Sequence, residues 1–80
     1  YAWTLAHLGQ AYKELGNYDK AKDLLEESLK TYKEKSPDNC LREAWILAHI
    51  GSVYRKLGDF EKAKTFLELS LDIYRKYFSE

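Results

Sequence analysis

Residues 2–16, AWTLAHLGQAYKELG, and residues 44–58, AWILAHIGSVYRKLG, are two copies of one pattern. Ala, Trp, Leu, Ala, His, Gly, Tyr, Leu and Gly recur at a constant offset of 42 positions. The same offset carried outward aligns Lys20, Ala21, Lys22, Leu25, Glu26, Ser28, Leu29 and Tyr32 with identical residues. Residues 1–38 laid over 43–80 thus show 17 identities in 38 pairs without a gap. Several mismatches are conservative, among them Leu8/Ile50, Lys13/Arg55, Tyr18/Phe60 and Asp19/Glu61. A period of this regularity marks a repeated supersecondary unit that buries its apolar face against its neighbour.

Within each unit the apolar spacing is helical. Leu5, Leu8, Tyr12 and Leu15 recur at three- and four-residue steps, as do Ala21, Leu25, Ser28, Leu29 and Tyr32. Between them stands Gly16-Asn17, repeated as Gly58-Asp59, where glycine supplies a left-handed C-cap and Asn or Asp opens the next helix. Ser36 is placed to cap a third helix with Pro37 in its first turn, where the missing N–H costs nothing. These signals predict helices at about 2–15, 18–34, 38–57 and 60–77, and no strand pattern competes. The expected class is all-α: an α-α superhelix, or solenoid, of two tandem helix–turn–helix repeats with four antiparallel helices. Residues 1–80 form a single domain, with repeat one at 1–38, truncated at its start, and repeat two at 39–80. The opening Tyr1-Ala2-Trp3, already inside a helical pattern, reads as a fragment of a longer array.

Composition narrows the function. Thirteen Lys and Arg balance thirteen Asp and Glu, so there is no basic stripe to displace counterions from a nucleic acid. No polybasic amphipathic segment suits an anionic membrane, and no run of 18 apolar residues occurs. A single cysteine, Cys40, excludes an internal disulfide and a paired-cysteine zinc site, and favours a reducing, cytoplasmic setting. No nucleophile with its base, phosphate-cradling loop or acid pair is present. Neither catalysis nor a cofactor or metal is expected.

The run Leu8-Gly9-Gln10-Ala11-Tyr12, then Gly16-Asn17-Tyr18, then Ala21, Leu25 and Ser28 resembles the tetratricopeptide repeat signature. Leu47, Ile50-Gly51, Tyr54, Gly58, Phe60, Ala63, Leu67 and Ser70 repeat it. Three features depart from that signature. Leu5 and Leu47 stand where the family usually has tryptophan, with Trp3 and Trp45 two residues earlier. Lys33 and Arg75 replace the proline that ends the second helix, and the period is 42 where about 34 is usual. The longer period resembles the repeats of kinesin light chains and long bacterial arrays, which implies a scaffold that binds peptides or proteins.

By the same resemblance, the first helix of each repeat lines a concave groove. That places Trp3, Ala6, Gln10, Lys13 and Glu14 in the groove, with Trp45, Ala48, Ser52, Arg55 and Lys56 from repeat two. The chosen peptide-groove candidates are Trp3, Gln10, Lys13, Trp45, Ser52 and Arg55. Tryptophan supplies contact area and basic groups fix orientation; the plainer reading has Trp3 and Trp45 sealing the contact between units. The carboxylate clamp of the family is not expected, because Ala6, Gln10 and His49 occupy its lysine and asparagine positions. His7 and His49, at equivalent positions, lack a third ligand and read as hydrogen-bonding groups across the helix seam. Lys22, Glu26 and Lys30 are spaced for weak pairs along one helix face.

A second function is also written in the chain. Glu27, Thr31 and Lys35 of repeat one correspond to Leu69, Ile73 and Tyr77 of repeat two, a polar-to-apolar change at four-residue spacing. An apolar stripe on a terminal helix invites another repeat or another chain. Leu69, Ile73 and Tyr77 are therefore the self-association candidates, with a homodimer or longer solenoid as the alternative to peptide binding.

Overall fold

The computed structural model describes residues 1–35, 38 and 40–78. It has four helices: α1 (Ala2–Glu14), α2 (Tyr18–Lys35), α3 (Cys40–Leu57) and α4 (Phe60–Phe78). All four expected helices are present. Asp38 lies in a turn and α3 opens at Cys40, two residues after the expected start. The Ser36–Pro37 cap falls outside the described residues.

Both intra-repeat turns are built alike. Gly16 and Gly58 take φ of 88° and 89°, a left-handed conformation that a Cβ would strain. This turns the following N–H groups back onto the helix just completed. Gly16 N–H donates to the Lys13 carbonyl and Asn17 N–H to the Tyr12 carbonyl; Gly58 and Asp59 do the same to Arg55 and Tyr54. The paired bonds satisfy carbonyls that a helix end otherwise leaves open. Asn17 Oδ1 and Asp59 Oδ1 then accept from the N–H of Lys20 and Lys62, at 3.4 and 3.3 Å, at the start of the next helix.

The two helices of each repeat touch at a glycine. A Cβ on Gly9 would lie 2.9 Å from Leu25 Cγ and 3.2 Å from the Ala21 carbonyl oxygen. On Gly51 it would lie 2.8 Å from Leu67 Cγ and 3.1 Å from the Ala63 carbonyl oxygen. The close approach also lets Ser28 Oγ donate to the Ala2 carbonyl and Ser70 Oγ to the Ala44 carbonyl, each at 2.7 Å. These serines sit at the apolar spacing of the core yet are buried without a stranded hydroxyl.

α1 packs on α2 and α3 on α4, and α2 on α3 joins the repeats. Leu25 from α2 and Ile46, Ile50 and Val53 from α3 are wholly buried, so the centre of the core lies at the joint between repeats. Each large aliphatic side chain so buried contributes about 1.5–3 kcal/mol. Tyr54 extends the joint by donating its hydroxyl to Glu26 Oε2 at 3.0 Å. Glu26, spaced along its own helix for Lys22 and Lys30, thus reaches the neighbouring repeat.

Candidate functional site

The sides of α1 and α3 that meet the second helices are marked by Gly9 and Gly51. Trp3, His7 and Gln10 share another side of α1, and Trp45, His49 and Ser52 the matching side of α3, by the helical period. There the rings form one row across both repeats. Trp3 meets His7 edge-on at 4.7 Å between centroids and meets Trp45 at 4.8 Å. His7 lies 5.4 Å from Trp45, and Trp45 lies 3.9 Å from His49. Both tryptophans and His49 are half-buried while His7 is exposed, so the row is packed on one side and open on the other.

Two cations brace it. The Arg42 guanidinium stands 4.5 Å from the Trp3 ring centroid and donates to the Tyr32 hydroxyl at 3.2 Å. Lys13 Nζ lies 2.9 Å from His49 Nδ1. An ammonium only donates, so Nδ1 accepts and the imidazole is neutral, with its proton on Nε2. The electrostatics agree. Burial first, then the charges of Lys13 and His7, lower His49 to a pKa of about 4. Lys13 is also lowered, chiefly by burial. The pair is an uncharged ring holding a partly desolvated ammonium at the seam between α1 and α3.

The structure brings Trp3, Trp45 and Lys13 together, with Gln10 and Ser52 half-exposed on the same side. Ala6 is wholly buried and offers no surface to a ligand. Arg55 lies elsewhere: it is exposed and lines an open depression with Phe60, Ala63, Lys64, Leu67, Glu68 and Leu71 at the outer end of repeat two. Of the apolar stripe, Leu69 and Tyr77 are exposed, while Ile73 packs against the core. Ile73 and Tyr77 face a separate cavity with Cys40 and Lys76. At 3.6 residues per turn the stripe runs on roughly the opposite side of α4 from Leu67 and Leu71. Sequence reasoning missed Arg42, whose aromatic partner belongs to the other repeat, where no local spacing reveals it. Of the two histidines expected to hydrogen-bond across the seam, His49 does so with Lys13, while His7 lies edge-on and tilted against the tryptophan rings.

Among the described residues no three His, Cys, Asp or Glu side chains gather as a metal-binding set. No helix among them is long and apolar enough to cross a membrane. Paired antiparallel helices, glycine contacts and a glycine turn, repeated and stacked, define a helical repeat scaffold. Over residues 1–76 the chain matches the tetratricopeptide repeat, and it belongs to that family. Comparison with curated proteins and with solved structures yields no match. Its general role is that of the family, a scaffold for protein–protein interaction of a generally non-catalytic kind.

Proposed function

We propose that the row Trp3–His7–Trp45–His49, with Gln10, Lys13 and Ser52 beside it, receives a peptide segment of a partner protein. The observation that carries this reading is the continuous row of half-open rings spanning both repeats. A ring buried on one face has already lost its freedom, so covering the other face adds apolar contact at little entropic cost. Arg42 and Lys13 set a positive border along the row, which favours a segment with an acidic group beside an apolar or aromatic one.

Selection of a phage-displayed random peptide library on the chain tests the reading. Sequences pairing an aromatic or aliphatic residue with Asp or Glu should be enriched, and Trp45→Ala should weaken them by at least tenfold, the effect of losing a central aromatic contact of about 1.4–2 kcal/mol. Enriched peptides that bind Trp45→Ala and Trp3→Ala as well as the parent chain would refute it.

A further inference from the structure

A lysine on a helix surface ordinarily points its ammonium at water or at a carboxylate; Lys13 gives its hydrogen bond to an uncharged ring. Its Nζ lies 2.9 Å from Nδ1 of His49, across the seam between α1 and α3. The ring is held in place by Trp45, whose centroid is 3.9 Å away. Lys13, His49 and Trp45 are all half-buried, whereas Lys30, Lys33 and Lys64 are exposed. The amine and its acceptor therefore stand at a fixed spacing, packed on one side and open on the other.

The surroundings disfavour the ammonium. Burial first, with the charges of Arg55 and Lys56 on α3 opposing that of Glu14 on α1, holds Lys13 below the ordinary lysine value of 10.5. At neutral pH more of it is free amine than of a fully solvated lysine, and the amine is the nucleophile. Losing the proton does not break the seam. A neutral amine still donates one N–H to Nδ1, and its lone pair then points away from the ring. His49 is neutral at the same pH, so Nδ1 has a lone pair with which to accept a proton.

We propose that Lys13 is a modification site, an acyl acceptor for thioesters, with His49 as the proton acceptor of the transfer. The Nζ lone pair attacks the thioester carbonyl carbon, the C–N bond forms and the carbonyl electrons move to oxygen. The nitrogen, now positively charged, passes a proton to His49 Nδ1 while the Nε2 proton leaves to water. The carbonyl reforms, the C–S bond breaks and the thiolate departs, to be protonated by water. No electrons are gained or lost, and exchange with water restores the ring's first tautomer. The product is an uncharged amide beside the ring row, whose half-open tryptophans offer the acyl carbons apolar contact. Acylation also strips a positive charge from the border of the row and so lowers its preference for acidic segments, a consequence that rests on the peptide-binding role proposed above.

The test is brief labelling of the folded chain with the acetyl thioester of N-acetylcysteamine, with acetylation at each lysine quantified by mass spectrometry after digestion. At neutral pH Lys13 should be acetylated roughly threefold or more faster than Lys30, Lys33 and Lys64. The excess should vanish in denaturant and shrink as pH rises towards 10.5, where every lysine becomes an amine. His49→Gln keeps a hydrogen-bond acceptor but no base, and should remove most of the excess, with helical content by circular dichroism as the check on folding. Lys13→Arg leaves a cation beside His49 and should delete the fastest phase of labelling. A folded chain in which Lys13 reacts no faster than Lys30, Lys33 and Lys64 overturns the site. An excess that survives whole in a folded His49→Gln chain overturns the role of the ring. Labelling rates do not depend on any peptide, so a Lys13-acetylated chain that keeps its preference for acidic segments contradicts the peptide-binding consequence and not the site.

Discussion

Leu25 and Leu67 stand at the same step of successive repeats, the one against Gly9 and the other against the equivalent Gly51, yet one is wholly buried and the other is not. Everything inside the two repeats agrees: the left-handed glycine, the close approach at Gly9 and Gly51, the serine hydroxyl on the first helix's carbonyl. What differs is the neighbour. A repeat of this kind carries its own turn and helix pairing but only half of its core, and the other half comes from whatever stacks beside it. The ring row belongs to the same logic, since it exists only where α1 and α3 lie side by side.

The contrast breaks most readily at Ile50 and Leu8. Ile50→Ala empties a fully enclosed site and should cost about 2–5 kcal/mol in denaturant unfolding. Leu8→Ala at the matching exposed position should cost under about 1 kcal/mol. Equal losses would mean that the face of α1 is covered as well as the joint is. Ser28→Ala and Ser70→Ala sharpen the other side of the comparison. Each removes the same 2.7 Å bond, so each should cost about 1 kcal/mol, and alike. A clear difference between them would show that the repeats are less equivalent inside than their geometry indicates.

The smallest expected effect concerns the histidine pair. His49 is held to a pKa of about 4 in the folded chain, against an ordinary value of 6.5. Between those values the unfolded chain binds the proton and the folded chain does not, so stability falls as pH drops from about 6.5 towards 4. His49 keeps part of its surface in solvent, which screens the effect to roughly a few degrees of thermal midpoint. His49→Gln should flatten the midpoint between pH 6.5 and 5, above the range where carboxylates titrate. An unchanged slope would detach His49 from the folding equilibrium.

The fold was legible because a 42-residue period, two Gly-Asn or Gly-Asp turns and helical spacing all require the same arrangement. Ala21, Leu25 and Leu29 could be placed in a core from spacing alone. Ser28 sat in that same row, though its bond to Ala2 needs the approach at Gly9, and a linear pattern does not measure such distances. Trp3, Trp45 and Lys13 were identifiable as a group by carrying a family groove onto the first helices. Arg42 was not, because it serves a tryptophan in the other repeat. The outer face of α4 is the clearest limit. The polar-to-apolar change at Leu69, Ile73 and Tyr77 stands out in the alignment of the repeats, whereas Leu67 and Leu71 are unchanged leucines and draw no notice. Only the packed helices show that the unchanged pair lies on the uncovered stacking side.

The proposed role of the ring row is tested most directly by the two indole N–H resonances of Trp3 and Trp45, the only tryptophans in the chain. A library-selected peptide titrated into labelled protein should shift both signals together, with the amides around Gln10 and Ser52 following and those around Leu69 and Tyr77 staying still. Shifts confined to α4, with both indoles unmoved at saturation, would contradict the proposal that the seam between α1 and α3 is the working surface.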